Sequence, residues 1–407
     1  MKRLSLLFAL TLLFPACNRE EPADAPDAGT RPPTAEEQDL RNMVSVPLGA
    51  VPDEAQMERE RRDASWRALT SFGWRSQHPS AIRSVEASFA EGPFNETLEG
   101  IEAARLDQLP FHVPIDGDVE GPSVLKVQIL LDRAGFSPGM IDGRWGKNTA
   151  IAVHWFQAQH GLQPTGTVDR ETVNRLMGAT GSAKTLRQYQ LSSQDVSGPF
   201  VQVPDDPYAQ SELDCLCYEN AMEKLSELFH VKSDLLVRLN PQLAAGPAAG
   251  QTIWVPNVQP LGTGHAKDIR RIVVSVAGSY LHGFDANENI VFHGPVTVGS
   301  EYDPSPNETT RLVGIAHDPD FHYQPKLFHE VPDDEPEAML PPGPNSPVGV
   351  VWMALAKPHY GIHGTSAPET IGYSSSHGCI RLTNWDAQEL AHRASQGIPV
   401  EFVDTRS

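Results

Sequence analysis

The sequence predicts a multi-domain chain in which small helical and α+β units precede a mainly β C-terminal domain. Three observations carry this. The 407 residues exceed the ~250–300 residues that one hydrophobic core usually serves. The texture changes along the chain, from helical spacings around a Gly-rich turn to β-branched runs beyond Asp268. The 32 Gly and 35 Pro lie above the usual background and call for linkers and long loops. Charge narrows the partners: 52 acidic against 32 basic residues, a net of −20, lack the basic footprint of a nucleic-acid binder. Four cysteines are too few for a disulfide scaffold.

At the N-terminus, Lys2 and Arg3 precede an apolar stretch from Leu4 to Phe14 and then Pro15-Ala16-Cys17. This is the layout of a secretory signal over residues 1–16. It resembles the lipobox of bacterial lipoproteins, which implies acylation of Cys17, export, and a lipid anchor in the cell envelope. Phe14 and Pro15 depart from the usual Leu and small residue, and an ordinary signal peptide that contains a cysteine is the alternative. Residues 17–51 are rich in Pro, Ala and acid, a composition expected to stay disordered and act as a tether. Residues 52–117 read as helical from the spacing of Leu98, Ile101, Ala104 and Leu109. Trp66, Phe72 and Trp74 are expected to pack against another unit, and no motif assigns this segment a role.

Residues 118–180 are more legible. Helical patterns flank the turn Ile141-Asp142-Gly143-Arg144-Trp145-Gly146, where Gly accepts positive φ and Asp bonds its own backbone. Gln128, Leu131, Gly135, Thr149, Ala152-Val153, Phe156-Gln157, Gly161-Leu162, Gly166 and Thr172 stand in step with it. The string resembles the three-helix peptidoglycan-binding domain, and that resemblance implies cell-wall glycan as a partner. After a linker at 181–212, residues 213–258 carry Leu239-Asn240-Pro241 and Gly250-Gln251-Thr252-Ile253-Trp254-Val255-Pro256. This resembles a LysM module, a strand–helix–helix–strand unit that binds glycans. Glu219-Asn220-Ala221 replaces the usual Gly-Asp-Thr turn, so a spacer role stands beside glycan binding. Cys215 and Cys217 are expected on its first strand, with both thiols on one face, either free or as an oxidised pair.

Residues 266–405 hold the chemistry. Ile269–Val276, Ser279–Phe284 and Ile290–His293 read as a three-strand meander. A Pro-rich acidic stretch from Asp303 to Pro347 follows, the kind of long segment that serves as a lid or binding wall. Then come Tyr360-Gly361-Ile362-His363-Gly364-Thr365 and Ser376-His377-Gly378-Cys379-Ile380-Arg381. A cysteine within reach of an imidazole is the minimum for a thiolate nucleophile. The amides at Gly378 and Cys379 are placed to face a developing oxyanion. An imidazole base needs a third group to set its tautomer, and with no acid nearby in sequence the Gly364 carbonyl is the candidate. The competing readings are a buried structural cysteine and a zinc site built from His359, His363, His377 and Cys379. The spacing lacks the usual paired zinc motifs.

The pair HGT…SHGCIR, preceded by Leu340-Pro341-Pro342-Gly343-Pro344-Asn345, closely resembles the YkuD-like L,D-transpeptidase domain. The resemblance implies a β-sandwich-like domain with Cys379 as nucleophile and His363 as general acid/base. It further implies that Tyr360, Ser376, His377 and Arg381 shape the substrate site. No metal and no cofactor is expected. The implied activity is cleavage before the terminal D-alanine of peptidoglycan tetrapeptide stems and acyl transfer to an amine on a neighbouring stem or on an acceptor protein. Hydrolysis of the same bond, or a non-catalytic wall-binding lipoprotein, are the alternatives. Asp303-Pro304-Ser305-Pro306-Asn307 stands where many relatives have a T-P-x-G turn.

Overall fold

The structure, a computed structural model, describes residues 66–69, 74, 76, 86–181, 184–258, 266–328 and 331–404. The leader, Cys17 and the Pro/Ala-rich stretch lie outside them. In the region expected to be helical, the described residues form one short helix, Trp66–Leu69, a 3₁₀ segment, Ala103–Gln108, and a parallel pair of two-residue strands, Phe89–Ala90 with Phe111–His112. Pro93 and Pro110, with Gly92 and Gly100 at positive φ, bound the 3₁₀ segment; such residues end helices. Phe72 lies outside the described residues, while Trp66 and Trp74 do pack: a Cβ at Gly166 would lie 1.8 Å from the Trp66 ring. Trp74 lies 5.9 Å from Trp155 and 5.6 Å from Phe284.

Helices α1 (Pro122–Arg133), α2 (Lys147–Gln159) and α3 (Arg170–Thr180) follow. Two buried glutamines explain the motif of this region. Gln128 Oε1 accepts from the Gly143 amide at 2.8 Å while its Nε2 donates to Asp142 and to the Arg144 carbonyl, both at 3.0 Å. Gln157 repeats the device on the next turn, accepting from the Gly166 amide at 2.9 Å and donating to the Thr167 carbonyl at 2.9 Å. Each satisfies backbone groups of a tight turn that the helices leave unpaired. Asp169 caps α3 through the Thr172 amide, 2.8 Å.

The next unit is a β–α–α–β arrangement whose strands differ from the expected ones. Strand β1 (Leu186–Gln190) pairs antiparallel with β2 (Thr252–Pro256), and helices α4 (Ala221–Leu228) and α5 (Ser233–Leu239) pack between them in sequence. The unit therefore starts near 186, inside the expected linker, rather than at 213. Cys215 and Cys217 lie in a loop, not on a strand, and are joined by a disulfide. Helical turns Ser193–Val196 and Pro207–Ser211 fill the segment between β1 and that loop.

From residue 268 onward the expected meander forms: β3 (Arg271–Ser275), β4 (Tyr280–Phe284) and β5 (Ile290–Pro295) pair antiparallel in order. The stretch after Asp303 holds β6 (Thr310–His317) and a short hairpin of β7 (Phe321–Tyr323) with β8 (Ala338–Leu340). Strands β9 (Val351–Leu355), β10 (Gly361–His363) and β11 (Ile380–Arg381), helix α6 (Asn384–Arg393) and strand β12 (Pro399–Val403) complete the chain. One eight-stranded mixed sheet runs β11-β10-β9-β6-β12-β3-β4-β5. Its halves meet only where β6 touches β12 at two residue pairs, and side chains from both halves share one core with α6. Val274, Leu281, Val351, Ile362, Ile380 and Leu390 belong to it. That shared core gives the domain its sandwich-like character.

The units are docked, not strung on linkers. The Ser137 amide donates to the His293 carbonyl at 2.9 Å, and the His293 amide to the Gly135 carbonyl at 2.9 Å. Lys147 Nζ and Asn148 Nδ2 donate to the carbonyls of Gly372 and Ile371 at 2.7 and 2.9 Å. Asp132 and His230 pair at 2.8 Å, and the His230 ring stacks on Trp385.

Candidate active site

Register brings the expected residues together. Trp352 on β9, His363 on β10 and Arg381 on β11 are Cα partners across three adjacent strands. Side chains of register partners share a face, and alternation carries Cys379, two residues before Arg381, to that same face. Trp352 stacks on the His363 ring, with centroids 5.4 Å apart and planes at 27°. Cys379 and Trp352 belong to one apolar cluster with Phe321, Phe328 and Leu340. Both Cys379 and His363 are buried, at 1% and 0% exposure.

The hydrogen bonds fix the resting state. His363 Nδ1 lies 2.7 Å from the Gly364 carbonyl. A carbonyl only accepts, so Nδ1 carries the proton and Nε2 presents its lone pair; Nε2 is buried with no hydrogen-bond partner. The Cys379 thiol donates to the His359 carbonyl, 3.5 Å away. Burial, and then the Arg381 charge, hold His363 down to about 3 despite the Gly364 carbonyl. Burial pushes the Cys379 thiol up to about 11, against the Gly361 amide and Arg381. Burial also lowers Arg381 from its ordinary value. At neutral pH the pair is therefore thiol and neutral imidazole, not thiolate and imidazolium.

The remaining expected residues divide. Ser376 Oγ donates to the Cys379 carbonyl at 2.5 Å and accepts from the Gly378 amide at 3.2 Å. That amide, expected to face an oxyanion, is thus engaged by Ser376. Gly378 has φ +108°, and a Cβ there would lie 2.8 Å from the Tyr360 ring, so only glycine lets Tyr360 close over the turn. His377 faces Asp303, 4.0 Å from its carboxylate, with the Phe328 ring 6.2 Å away. Sequence reasoning missed Ser305, whose hydroxyl accepts from the Gly299 amide and donates to the Gly378 carbonyl at 2.8 Å. It also missed Trp352 and Asn384. These three lie 27 or more residues from Cys379 or beyond the quoted motif, so only the fold connects them to it.

The loop closed by the Cys215–Cys217 disulfide lies over this region. Leu216 is fully buried in the cluster that contains Cys379. Its amide donates to the Pro342 carbonyl at 3.0 Å and its carbonyl accepts from the Asn345 amide at 2.9 Å. Tyr208, from the preceding helical turn, reaches the Pro336 carbonyl at 3.0 Å beside the β7–β8 hairpin. A segment from outside the transpeptidase-like domain therefore joins the apolar cluster to which Cys379 belongs.

Comparison with known proteins matches two regions of the chain to known families. Residues 269–402 match the family model described as the L,D-transpeptidase catalytic domain. Residues 120–176 match the one described as "Putative peptidoglycan binding domain". The chain is 30% identical over 183 residues to "Putative L,D-transpeptidase YkuD" of Bacillus licheniformis, spanning 45% of this chain and 93% of that protein. It is 28% identical over 182 residues to the protein of the same name in Bacillus subtilis, spanning 44% and 92%. With "Probable L,D-transpeptidase YbiS" of Escherichia coli the identity is 32% over 136 residues, 33% of this chain and 44% of the relative. A helical wall-binding region ahead of a β domain with a buried Cys–His pair, and near-complete coverage of the Bacillus relative, place the chain in the YkuD family of L,D-transpeptidases, which are cysteine-dependent acyltransferases.

Proposed function

We propose that this protein cross-links peptidoglycan, or anchors a protein to it, through a thioester on Cys379. The single observation that carries the residue roles is the register that sets Cys379 and His363 on one face, with Nε2 bare and Nδ1 held by the Gly364 carbonyl. The thiol rotates from the His359 carbonyl towards His363 Nε2, which takes its proton as Sγ attacks the carbonyl before the terminal D-alanine of a tetrapeptide stem. Collapse of the tetrahedral intermediate breaks the C–N bond, and the imidazolium returns the proton to the leaving D-alanine amine. An acceptor amine then attacks the thioester, gives a proton to Nε2, and expels the sulfur, which is reprotonated. The backbone around Gly378 and Cys379 supplies the oxyanion donors, Gly378 on releasing its bond to Ser376. Tyr360, Ser376 and His377 shape the turn beneath the substrate, and Arg381 supplies positive charge beside the thiol.

The β–α–α–β unit is read as LysM-like, with the absent Gly-Asp-Thr turn favouring a scaffold role over glycan capture. Residues 118–180 supply wall binding. The leader is read as a lipoprotein signal, with Cys17 as the lipid anchor and residues 17–51 as the tether. No helix among the described residues is long and apolar enough to cross a membrane. No step of this mechanism calls for a metal or cofactor.

Incubation with tetrapeptide muropeptides, followed by intact-mass analysis of protein and products, tests the reading. A mass increase on Cys379, loss of D-alanine, and cross-linked dimers that vanish in Cys379→Ala are expected. Dimers that persist in Cys379→Ala would overturn it, and tripeptide without dimer would move the assignment to a carboxypeptidase.

A further inference from the structure

The group that sets the His363 tautomer is a backbone carbonyl, and the peptide unit it belongs to is held from its other end. Gly364 C=O accepts from His363 Nδ1 at 2.7 Å. The N–H of that same peptide, the amide of Thr365, donates to Asn384 Oδ1 at 3.1 Å. Asn384 is the first residue of α6 and is 1% exposed. Its Oδ1 also takes the Val350 amide at 3.3 Å. Its Nδ2 donates to Glu227 Oε1 at 2.8 Å and to the Pro344 carbonyl at 3.1 Å. The backbone is shaped for this approach: a Cβ on Gly364 would lie 2.2 Å from Asn384 Oδ1, and one on Gly349 1.9 Å. Glu227 sits on α4 of the β–α–α–β unit, outside the residues that match the transpeptidase family. Its other oxygen accepts from the Tyr218 hydroxyl at 3.1 Å.

We propose that Asn384 and Glu227 are positioning residues for His363, the outer members of a hydrogen-bonded relay that enters the catalytic domain from the preceding unit. The relay runs Glu227 Oε1 to Asn384 Nδ2–H, Asn384 Oδ1 to the Thr365 N–H, and Gly364 C=O to the His363 Nδ1–H. Every amide in it points the same way. Once Glu227 is ionised, which burial delays to about pH 7, its charge polarises the Asn384 amide, that amide polarises the Gly364–Thr365 peptide, and the strengthened carbonyl makes His363 Nε2 a better base. In serine and cysteine hydrolases a side-chain carboxylate or amide touches the imidazole directly. Here a carboxylate acts at one remove, through an amide and a peptide bond, and it belongs to a different structural unit. Docking of the wall-associated half of the chain is thereby linked to the competence of the base.

This rests on His363 as the base, so the experiment includes His363→Ala on the full chain with tetrapeptide as substrate. Loss of acyl-enzyme in His363→Ala upholds the base; acylation at the wild-type rate in that variant would take down the catalytic assignment itself. With the base upheld, Asn384→Leu, which is close in shape, should lower kcat by about tenfold or more while KM stays within about threefold. Glu227→Leu should do the same to a smaller degree, and Glu227→Gln, which keeps an acceptor for Asn384 Nδ2 but not the charge, should recover only part of the loss. A spectroscopic signature settles the matter even where Glu227→Leu does not fold. In Glu227→Gln the 15N and 1H signals of the His363 imidazole should shift, because the terminal charge is gone while the fold is kept. Unchanged imidazole signals in Glu227→Gln, or full kcat in folded Glu227→Leu, would overturn the relay.

Discussion

Iodoacetamide reacts with thiolate and not with thiol, so its rate on the free protein reads the charge state of Cys379. With the thiol pushed up to about 11, the thiolate fraction at pH 7.5 is ~3 × 10⁻⁴, against ~0.1 for an ordinary cysteine near 8.5. Alkylation of Cys379 should then run ~300-fold slower than that of a free cysteine, before any steric shielding is counted. The rate should climb about tenfold per pH unit to the limit of the stable range. His363, held near 3, adds no step between pH 5 and 8. In a preformed ion pair the imidazolium would instead hold the thiolate from low pH, and the rate would be flat across neutrality. Intact-mass analysis of quenched time points on the full chain, with Cys379→Ala as the blank, gives the profile. A plateau between pH 6 and 8, or a half-point below 8, would refute the neutral-pair reasoning. A slope through neutrality would mean that activation happens in the substrate complex, where a carbonyl carbon beside Sγ accepts the electrons as the proton leaves for His363 Nε2.

Acid should destabilise the fold, since burial first of all holds His154 and His160 to about 4, His293 and His363 to about 3, and His282 well below its ordinary value. The unfolded chain protonates these near 6.5 and the folded one far lower, so their stability is present above pH ~6.5 and lost as pH falls through the window down to 4 and 3. Glu227 and Asp386, raised to about 7, and His230, also raised, act in the opposite sense. The histidines drive the melting temperature down below pH 6.5, and a fall that is less steep in a His282→Gln/His293→Gln variant isolates their share. Leu216→Ala should cost about 2–5 kcal/mol and speed Cys379 alkylation at fixed pH; an unchanged rate in a protein that has lost that stability would separate Leu216 from the thiol. Gly166→Ala places a methyl 1.8 Å from the Trp66 ring at a residue with φ +72°. It should lower the melting temperature and leave acylation of Cys379 intact, a pair of readouts that calorimetry and mass analysis give on one sample.

What could be read without the fold follows how local the determinants are. The glutamines of the wall-binding region and the turns they hold lie 15 and 9 residues apart, so the motif and its structural reason sit in one window. The same holds for the meander of β3, β4 and β5. The β–α–α–β unit went astray because β1 reads Leu-Arg-Gln-Tyr-Gln, with only Leu186 fully buried. A polar edge strand leaves little apolar signature, and its partner β2 arrives only after two helical turns, a disulfide loop and helices α4 and α5. Two cysteines across one residue looked like a strand face by alternation, whereas they close a tight loop around Leu216. Among the described residues of 52–117, Gly100 at positive φ and Pro110 interrupt the spacing of Leu98, Ile101, Ala104 and Leu109, so that run folds as a 3₁₀ segment and not an α-helix.

The chemistry-bearing residues show the same rule from the other side. Cys379, His363 and the Gly364 carbonyl fall within 17 residues of sequence, and two short strands in register are enough to join them. Ser305 and Glu227 have no such proximity: Ser305 meets Gly378 across 73 residues and Glu227 meets Asn384 across 157. Asn384, though near Cys379 in sequence, makes its contacts on other elements. Each is a polar side chain whose every useful contact is made by another element, so its type and spacing carry no mark of its partner. That difference has a physical consequence. A nucleophile and base set by adjacent strands are assembled whenever the sheet forms, but the strap carrying Leu216 and the carboxylate of Glu227 reach the site only when the preceding unit is docked. The sheet therefore supplies the Cys–His pair, and docking adds Leu216 to the apolar cluster that contains Cys379 and brings in the contact proposed to orient the base. Separating the two, by a variant that loosens docking and leaves the sheet intact, should raise thiol reactivity and lower acylation together. A defect confined to folding would not move those two readouts in opposite directions.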